Sequence, residues 1–406
     1  MNGSGSDRRP VGWLRWVALC ALSALLAACA TSQGTSQSGP IKIGSITSLS
    51  GAYQTLGTFE KAGTDLAVKQ VNDGGGISGR KVEVTYQDDQ TKPDQAVIAF
   101  NQLAGQKVTA VIGPTLSDSA LAVKQGPLDS RKIPTVATAA SDQLVDPVDR
   151  YLYMTPARAS VAAERIVDYY KSQGLTRMGI WYASDNAFAS TGYQATKKQA
   201  QKQGISFVED EAFSARDTTD FTPLLTKLRA SDAQGLLVWV TGAPAVAITK
   251  QFRAQGLSMP LFFSHAEATP LYYGASAAGA GANGVVIPTQ LGIIASYLPD
   301  GQLKKSATDM ITAYQKANGG VSPPQFAFDG WIAMMLLADA MKRKGTGTQQ
   351  ILDGLNSANL TTPQGVYKMT SQDHSGFPVQ YMQVAQIQNN APTPTPYSTD
   401  LLRKLS

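Results

Sequence analysis

Hydroxyl-bearing and small residues recur directly after three predicted strands in the first half of the chain. The first strand is followed by Ser48 and Ser50, the third by Thr115, Ser117 and Ser119, and the fourth by Thr138, Ala139 and Ser141. A strand followed by such a loop and a helix start can bind an anion through backbone N–H groups without a charged side chain. Helix capping explains any single hydroxyl equally well. Three successive strand ends of this kind predict one polar pocket wall.

A second run of strands ends in residues of a different character. Trp181, Tyr182, Asp185 and Phe188 follow one strand and Trp239 and Thr241 another, and the segment FFSHAEATP then brings His265 and Glu267. The aromatic side chains could form an apolar wall of the pocket or part of the core. Glu267 could neutralise a ligand ammonium group, or it could simply favour the start of a helix.

The chain lacks the residues that hydrolysis or metal chemistry would need. His265 and His374 are the only histidines, and the two cysteines are Cys20 and Cys29. The sequence has neither a G-x-S-x-G nucleophile motif nor an H-E-x-x-H zinc motif. We therefore expect no enzymatic activity, no metal and no cofactor, although an amidase-type hydrolase is kept as the rival function.

Strand-like and helix-like segments alternate from residue 41 onward. Strands are predicted at 41–47, 81–87, 108–112, 133–137, 177–182, 205–213, 235–240, 260–264 and 284–288, and helices at 58–72, 161–172, 193–203, 220–230, 245–255 and within 302–356. This alternation predicts an α/β protein with two doubly wound parallel-sheet lobes and a cleft at the carboxyl ends of the strands.

The glycine cluster in VNDGGGISGRKVEV (71–84) follows a predicted helix and precedes a predicted strand. Phosphate-binding glycine loops have the opposite order, strand before helix. The cluster therefore predicts a helix-ending turn and no nucleotide site.

The first 28 residues have the pattern of an export signal. Arg8, Arg9 and Arg15 accompany a short apolar run that ends in Leu-Ala-Ala before Cys29. This pattern is typical of a lipoprotein, in which Cys29 would be lipidated and residues 29–40 would form a flexible tether. Loss of residues 1–28 removes three Arg and one Asp and lowers the formal net charge from +5 to +3, which does not suggest a nucleic-acid partner.

The ordered segments NDGGGISGRKVEV, IGPTLSDS, IPTVATAAS, FAFDGWIAMMLLADAM and TPQGVYKM resemble branched-chain amino-acid-type periplasmic binding proteins. These are type I solute-binding components of ABC importers. The resemblance covers about residues 41–388 and implies two lobes joined by three crossovers. It also implies a monomer that binds an amino acid, docks on an ABC permease and works on the extracytoplasmic face of the membrane.

The resemblance also implies roles for individual residues. Ser117 would hold the ligand carboxylate, Ala139 and Ser141 would help to bind its ammonium group, and Glu267 would supply the acid of the second lobe. Phe188 and Ala189 stand where the family commonly has tyrosine and glycine. Loss of the tyrosine hydroxyl makes that wall more apolar, so the ligand stays open between an amino acid, a carboxylate and a small amide.

The predicted strands, the signal pattern and the resemblance together give the expected domain boundaries. Residues 1–28 form the signal peptide and 29–40 the tether. Residues 41–156 plus 289–371 form the N-terminal lobe, 157–288 plus 372–392 the C-terminal lobe, and 393–406 a tail. The expected function is a lipid-anchored receptor for a small solute, with a ligand sensor as an alternative.

Overall fold

The computed structural model describes residues 1–5 and 39–405. Cys29 and nearly all of the predicted signal peptide and tether lie outside the described residues. The folded body is the compact unit from Pro40 onward, and the fold given below is that of this unit. Within the part of the chain that the structure describes, no helix is long and apolar enough to cross a membrane.

The first sheet has five parallel strands in the order β2-β1-β3-β4-β5. They are β1 (Ile41–Thr47), β2 (Val82–Asp88), β3 (Ala110–Ile112), β4 (Thr135–Ala137) and β5 (Leu152–Met154). Apolar side chains of β1, β3 and β4 are fully buried, as expected of a parallel sheet covered on both faces. Four of these strands agree with the prediction, and β5 is additional.

The second sheet has seven strands in the order β14-β13-β10-β9-β8-β6-β7. They are β6 (Arg177–Ala183), β7 (Ser206–Phe213), β8 (Leu236–Trp239), β9 (Leu261–Phe263), β10 (Val286–Gln290), β13 (Met382–Gln388) and β14 (Ala391–Pro394). The strands β6 to β10 are parallel to one another, whereas β13 and β14 add antiparallel pairs. A small separate hairpin joins β11 (Asn359–Thr362) to β12 (Gly365–Lys368).

Thirteen α-helices are described in this unit. They are α1 (Gln54–Asp73), α2 (Pro93–Gly105), α3 (Ser117–Gln125), α4 (Leu128–Arg131), α5 (Ala159–Ser172), α6 (Ala187–Gln203), α7 (Thr222–Ala230), α8 (Ala243–Ala254), α9 (Pro270–Tyr273), α10 (Gln302–Ala317), α11 (Gln325–Lys344), α12 (Thr348–Leu355) and α13 (Pro396–Leu402).

The chain passes between the two sheets three times, after β5, after β10 and after β12. We call the first sheet with α1 and α11 packed on it the first lobe, and the second sheet with its helices the second lobe. The predicted two-lobed α/β architecture with three crossovers is confirmed. β10 runs to Gln290, and β14 and α13 lie within residues 391–402.

Helices α1 and α11 pack so closely that only glycine fits at two contacts. A Cβ atom on Gly63 would lie 1.9 Å from the Ala327 carbonyl oxygen, and one on Gly330 would lie 2.2 Å from the Glu60 carbonyl oxygen. Residue pairs from two helices far apart in sequence are thereby fixed side by side. This packing brings the first turns of α11 to the carboxyl edge of the first sheet.

The glycine cluster closes α1 as predicted. Gly75, Gly76 and Gly79 have positive φ angles, and a Cβ on Gly76 would lie 2.1 Å from the Arg80 carbonyl oxygen. The cluster is a helix-ending turn into β2.

Candidate functional site

A cavity, called the inner pocket, lies between the carboxyl edges of the two sheets. The first lobe lines it with residues 115–117 and 138–140, which follow β3 and β4, and with Tyr53, Leu56, Gln325, Phe326 and Asp329; Pro156 follows β5. The second lobe lines it with Asn186, Phe188, Thr241, His265 and Ala266. Most of these residues directly follow a parallel strand, which is where open α/β sheets bind ligands.

A larger cavity, the outer pocket, adjoins the inner one, and four residues line both: Tyr53, Leu116, Asn186 and Thr241. Its charged lining residues are Lys92, Asp94, Asp118, Asp185 and Arg216. The outer pocket is therefore the mouth through which a small molecule would reach the inner pocket.

Thr115 and Ser117 line the inner pocket, as the strand-end pattern suggested. The Thr115 hydroxyl donates to Glu60 Oε2 at 2.6 Å and accepts from the Ser48 N–H at 3.1 Å. The Ser117 hydroxyl accepts from the Ser141 N–H at 3.2 Å, which leaves its own proton for another acceptor. Ser117 also begins α3, whose positive end faces the pocket.

Ala139 lines the inner pocket, whereas Ser141 lies next to it in the contact between lobes. The Ser141 hydroxyl is fully buried and lies 2.9 Å from the Thr191 hydroxyl of α6. The first turn of α6 makes a second contact across the cleft, since the Ala187 N–H donates to both Asp118 oxygens at 3.3 and 3.4 Å. These contacts hold the two lobes in a closed arrangement.

Phe188 lines the inner pocket from the second lobe. Its ring meets the Trp239 ring edge-on at 5.5 Å between centroids and the His265 ring at 5.4 Å. Trp239 itself is fully buried, and its indole N–H donates to Thr196 Oγ1 at 3.0 Å. Of these aromatic residues, Phe188 faces the pocket and Trp239 belongs to the core behind it.

Three residues that the sequence suggested for the binding site lie away from the inner pocket. Each of them contacts another part of the protein instead. The Ser50 hydroxyl donates to Asp88 Oδ2 at 2.6 Å, at the end of β2. Tyr182 stacks on Tyr193 at 4.0 Å between ring centroids, outside both pockets. Asp185 lines only the outer pocket, where its carboxylate accepts from the Ala215 N–H at 2.8 Å.

Trp181 also lies outside the pocket wall that the sequence suggested. It is fully buried in the second lobe, and its indole N–H donates to Glu209. Trp181 and Tyr182 are therefore not a stacking surface for a bound ring.

Glu267 is buried behind the inner pocket in a short 3-10 turn, His265–Glu267, after β9. Its Oε1 accepts from the Gly242 N–H at 3.2 Å. Burial raises the pKa of Glu267 to about 8, although the Gly242 hydrogen bond opposes the shift. The side chain does not line the inner pocket.

The sequence analysis did not identify the acid that does line the inner pocket. Asp329 lies in the second turn of α11, and its side chain is 1% exposed. Burial raises its pKa well above the ordinary value. One available signal was the sequence FAFDGWIAMMLL, in which a single acid interrupts an apolar helical run.

Glu60 of α1 lies next to this acid. It is buried, and burial raises its pKa well above the ordinary value, with the charge of Asp329 adding to the shift. The hydrogen bond from Thr115 opposes that shift. Two buried acids of the first lobe therefore lie close together at the deep end of the site.

The pKa of the Tyr53 hydroxyl reflects the charges that surround the cleft. Burial raises the pKa of its hydroxyl, and the carboxylates of Asp185, Glu267 and Asp118 raise it further, whereas Arg216 lowers it. Glu267, with its pKa of about 8, is mostly uncharged at neutral pH, so the negative potential at Tyr53 comes from Asp185 and Asp118. The cleft therefore favours a ligand with a positive or hydrogen-bond-donating part.

The sequence matches a known protein family. Residues 40–392 match the family model described as periplasmic binding protein. The Leu/Ile/Val-binding protein homolog 3 of Brucella melitensis is 24% identical over 306 residues, which is 75% of this chain and 80% of the relative. The resemblance noted in the sequence is thus confirmed.

Solved structures agree with the fold. An extracellular ligand-binding receptor from Rhodopseudomonas palustris HaA2 has a TM-score of 0.80 at 25% identity, covering 88% of this chain and all of that one. The branched-chain amino acid transporter substrate-binding protein LivJ from Streptococcus pneumoniae, solved with isoleucine, has a TM-score of 0.74 at 22% identity, covering 87% of this chain and 97% of that one.

Proposed function

Because this chain belongs to the periplasmic binding protein family, whose members bind solutes and are not enzymes, we propose that it captures a small amino acid or a related zwitterion in the inner pocket and delivers it to an ABC importer. The observation that carries this proposal is the inner pocket itself. It is closed between two lobes and combines an anion-binding helix end with buried acceptors. No step of bond making or breaking is needed.

The anion end of the ligand is assigned to the start of α3. Ser117 offers a hydroxyl proton, and the first N–H groups of the helix lie at its positive end. A carboxylate that accepts several such hydrogen bonds can be buried without a lysine or arginine beside it. Ala139 and Ser141 follow the neighbouring strand and complete this side of the site.

Ligand capture is proposed to work by closure of one lobe over the other. The Ser141–Thr191 and Asp118–Ala187 contacts join the lobes only when the cleft is shut. A solute that bridges the two walls stabilises this closed form, and the closed form is the one that would dock on a permease. Hinge motion would be absorbed by the three connecting segments.

Cys29 is proposed to anchor the protein to the membrane. Leu-Ala-Ala precedes this cysteine, and residues 29–40 are rich in serine, threonine, glutamine and glycine. Such a composition suits a flexible tether between a lipid and a folded body. The body would then work as a monomer on the extracytoplasmic face.

The binding function is tested by thermal unfolding of a soluble form that begins at Thr31, against amino acids, carboxylates and small amides. A solute at one hundred times its dissociation constant should add about 2.7 kcal/mol to the free energy of unfolding. We expect a shift with an amino acid or related zwitterion. Simple carboxylates should bind weakly because the cleft is acidic.

A matched pair of variants locates the binding. Ser117→Ala should weaken binding of the active solute about tenfold, because it removes a hydrogen bond to a charged group. Ser172→Ala, at the exposed end of α5, should leave affinity unchanged. A full panel without any shift, or equal affinity of Ser117→Ala and the parent protein, contradicts the proposal.

A further inference from the structure

The carboxylate of Asp329 has no hydrogen-bond partner among the described residues, although it lines the inner pocket. Both of its oxygens are buried and unpaired, and the residue is 1% exposed. A buried carboxylate without a donor is costly, by several kcal/mol if it is charged. Native proteins rarely retain such a group unless something else pairs with it.

Asp329 is not the only unpaired acceptor at this end of the pocket. Gln325, one helical turn earlier on α11, is 2% exposed and its Oε1 has no partner in the described structure. His265 approaches from the second lobe with Nδ1 unpaired. Burial lowers the pKa of His265 to about 4, so the ring is neutral, and its hydrogen bond to the Ala157 backbone leaves Nδ1 as an acceptor.

The surrounding protein offers no cation to these acceptors. Among the described residues that line the inner pocket there is no lysine or arginine. The ionisable groups that feel the charge of Asp329 are Tyr367 and another acid, Glu60, whose Oε1 is also unpaired. None of these acceptors has a donor among the described residues, so a molecule that enters the pocket with N–H groups would satisfy them.

We propose that the deep end of the inner pocket, formed by Asp329 and Gln325 of α11 and His265 of the second lobe, binds a nitrogen group that carries N–H donors, an ammonium or an amide, on the side chain of the solute. This inference rests on the proposed solute-binding function and specifies its substrate class. An aliphatic side chain at this place would bury three acceptors without a donor. The site therefore selects against leucine-like solutes.

Two acids near the pocket, Glu267 and Asp329, could each accept a hydrogen bond from a ligand nitrogen. Glu267 has one oxygen on the Gly242 N–H and does not line the inner pocket. Asp329 has both oxygens unpaired and lines it. Asp329 is thus the specificity-determining acid for the distal group of the solute.

The test uses pairs of amino acids with nearly equal shape that differ in N–H donors. Suitable pairs are asparagine with leucine, 2,4-diaminobutyrate with norvaline, and ornithine with norleucine. Affinities are measured by calorimetry on the soluble form that begins at Thr31. The donor-bearing member should bind at least tenfold more tightly in any pair that binds, because the other member leaves buried acceptors without a hydrogen bond.

Variants of α11 identify the acceptor. Asp329→Asn should lower the affinity for the preferred ammonium or amide solute at least tenfold, yet leave the melting temperature of the free protein equal to or above that of the parent. A purely structural role for Asp329 would instead lower that melting temperature. The matched control is Asp339→Asn, on the same helix, where Asp339 pairs with Arg343 outside the pocket.

The results distinguish a failure of the assigned nitrogen site from a failure of the proposed solute-binding function. Tighter binding of leucine, norvaline or norleucine, or an unchanged affinity in Asp329→Asn, overturns the assignment of the deep end but leaves solute binding intact. A folded protein that binds none of the six compounds overturns this assignment as well. If it also binds nothing in the wider panel, the proposed receptor function fails with it.

Discussion

The hydroxyl of Ser141 in the first lobe lies 2.9 Å from the hydroxyl of Thr191 in the second lobe. The backbone N–H of Ser141 also donates to Ser117 Oγ at 3.2 Å. One residue therefore connects the serine assigned to the ligand carboxylate with the opposite side of the cleft. Ligand contact and lobe closure share a continuous set of hydrogen bonds.

Removing the hydroxyl of Thr191 should loosen the closed form. Thr191→Val keeps the shape of the side chain but loses the bond to Ser141, and a net hydrogen bond contributes about 0.5–1.5 kcal/mol. We expect solute affinity to fall by roughly twofold to tenfold, mainly through faster release. Calorimetry and stopped-flow fluorescence measure the two quantities.

Thr226→Val is the matched control for that variant, because the Thr226 hydroxyl bonds only within α7 at an exposed position. Thr191 makes the same kind of bond within α6, to the Ala187 carbonyl oxygen. Equal loss of affinity in both variants would show that the loss comes from the helices and not from the contact between lobes.

Glu267 should make stability depend on pH in a defined direction. Its pKa is about 8 in the folded protein against an ordinary value of 4.5, so the folded state holds a proton that the unfolded state releases above pH 4.5. The free energy of unfolding should therefore fall as the pH rises from about 4.5 to about 8. One such group contributes a slope of at most about 1.4 kcal/mol per pH unit.

Glu267→Gln should flatten this part of the stability profile, as measured by urea unfolding at pH 5, 6, 7 and 8. Asp329 and Glu60 also have raised pKa values, so a slope of the same sign should remain. The lowered pKa of His265 opposes this slope between about pH 4 and 6.5 and does not act above it. Glu83→Gln, at an exposed position of β2, should keep the parent slope. A parent protein that grows more stable over this pH range would contradict the expectation.

The close contact of α1 with α11 should not tolerate a methyl group. Gly63→Ala would place a Cβ 1.9 Å from the Ala327 carbonyl oxygen, and overpacking of this kind costs about 1–3 kcal/mol. Solute affinity should fall as well, because Ala327 lies two residues before Asp329. Urea unfolding and calorimetry measure both effects.

Gly105→Ala serves as the control for that packing. Gly105 ends α2, and nothing lies within 4 Å of an added Cβ there. Its free energy of unfolding should change by less than about 0.5 kcal/mol. A loss in Gly63→Ala no larger than in Gly105→Ala would mean that the helices can move apart at little cost.

Membrane attachment is expected to depend on Cys29. Cys29→Ala removes the only thiol that the signal pattern could present for lipidation, so the protein should leave the membrane fraction or stay unprocessed. Fractionation followed by mass measurement of the N-terminus tests this. A Cys20→Ala variant, changed within the signal itself, should remain attached, and unchanged attachment of Cys29→Ala would refute the lipoprotein interpretation.

The sequence predicted the parallel strands well because most are buried apolar runs and others, such as β2, alternate apolar and polar residues. The prediction for β1 has the observed bounds, and β6 and β7 differ by a single residue at one end. β5 was missed because it is only three residues long. β13 was missed because it pairs antiparallel with β10, almost one hundred residues earlier, and β14 was missed because it is a short edge strand that pairs only with β13.

The site was predictable where it lies in loops after strands and hidden where it lies in a helix. Thr115, Ser117, Ala139 and Phe188 follow strands and line the inner pocket. Asp329 comes from a helix that reaches the pocket only because two glycines allow α11 to pack against α1. The lone acid in FAFDGWIAMMLL marks Asp329 as unusual, but no local pattern shows that this contact between distant residues brings it to the pocket.

Because the chain passes between the lobes three times, each lobe needs residues from distant parts of the chain before it can fold. The first sheet is complete at Met154, but α11, which covers α1, ends only at Lys344, and the second sheet gains its edge strand at Pro394. Neither core can therefore close while the polypeptide is still emerging from the ribosome or being threaded through an export channel. Its topology postpones completion of both cores until the residues up to Pro394 have been delivered.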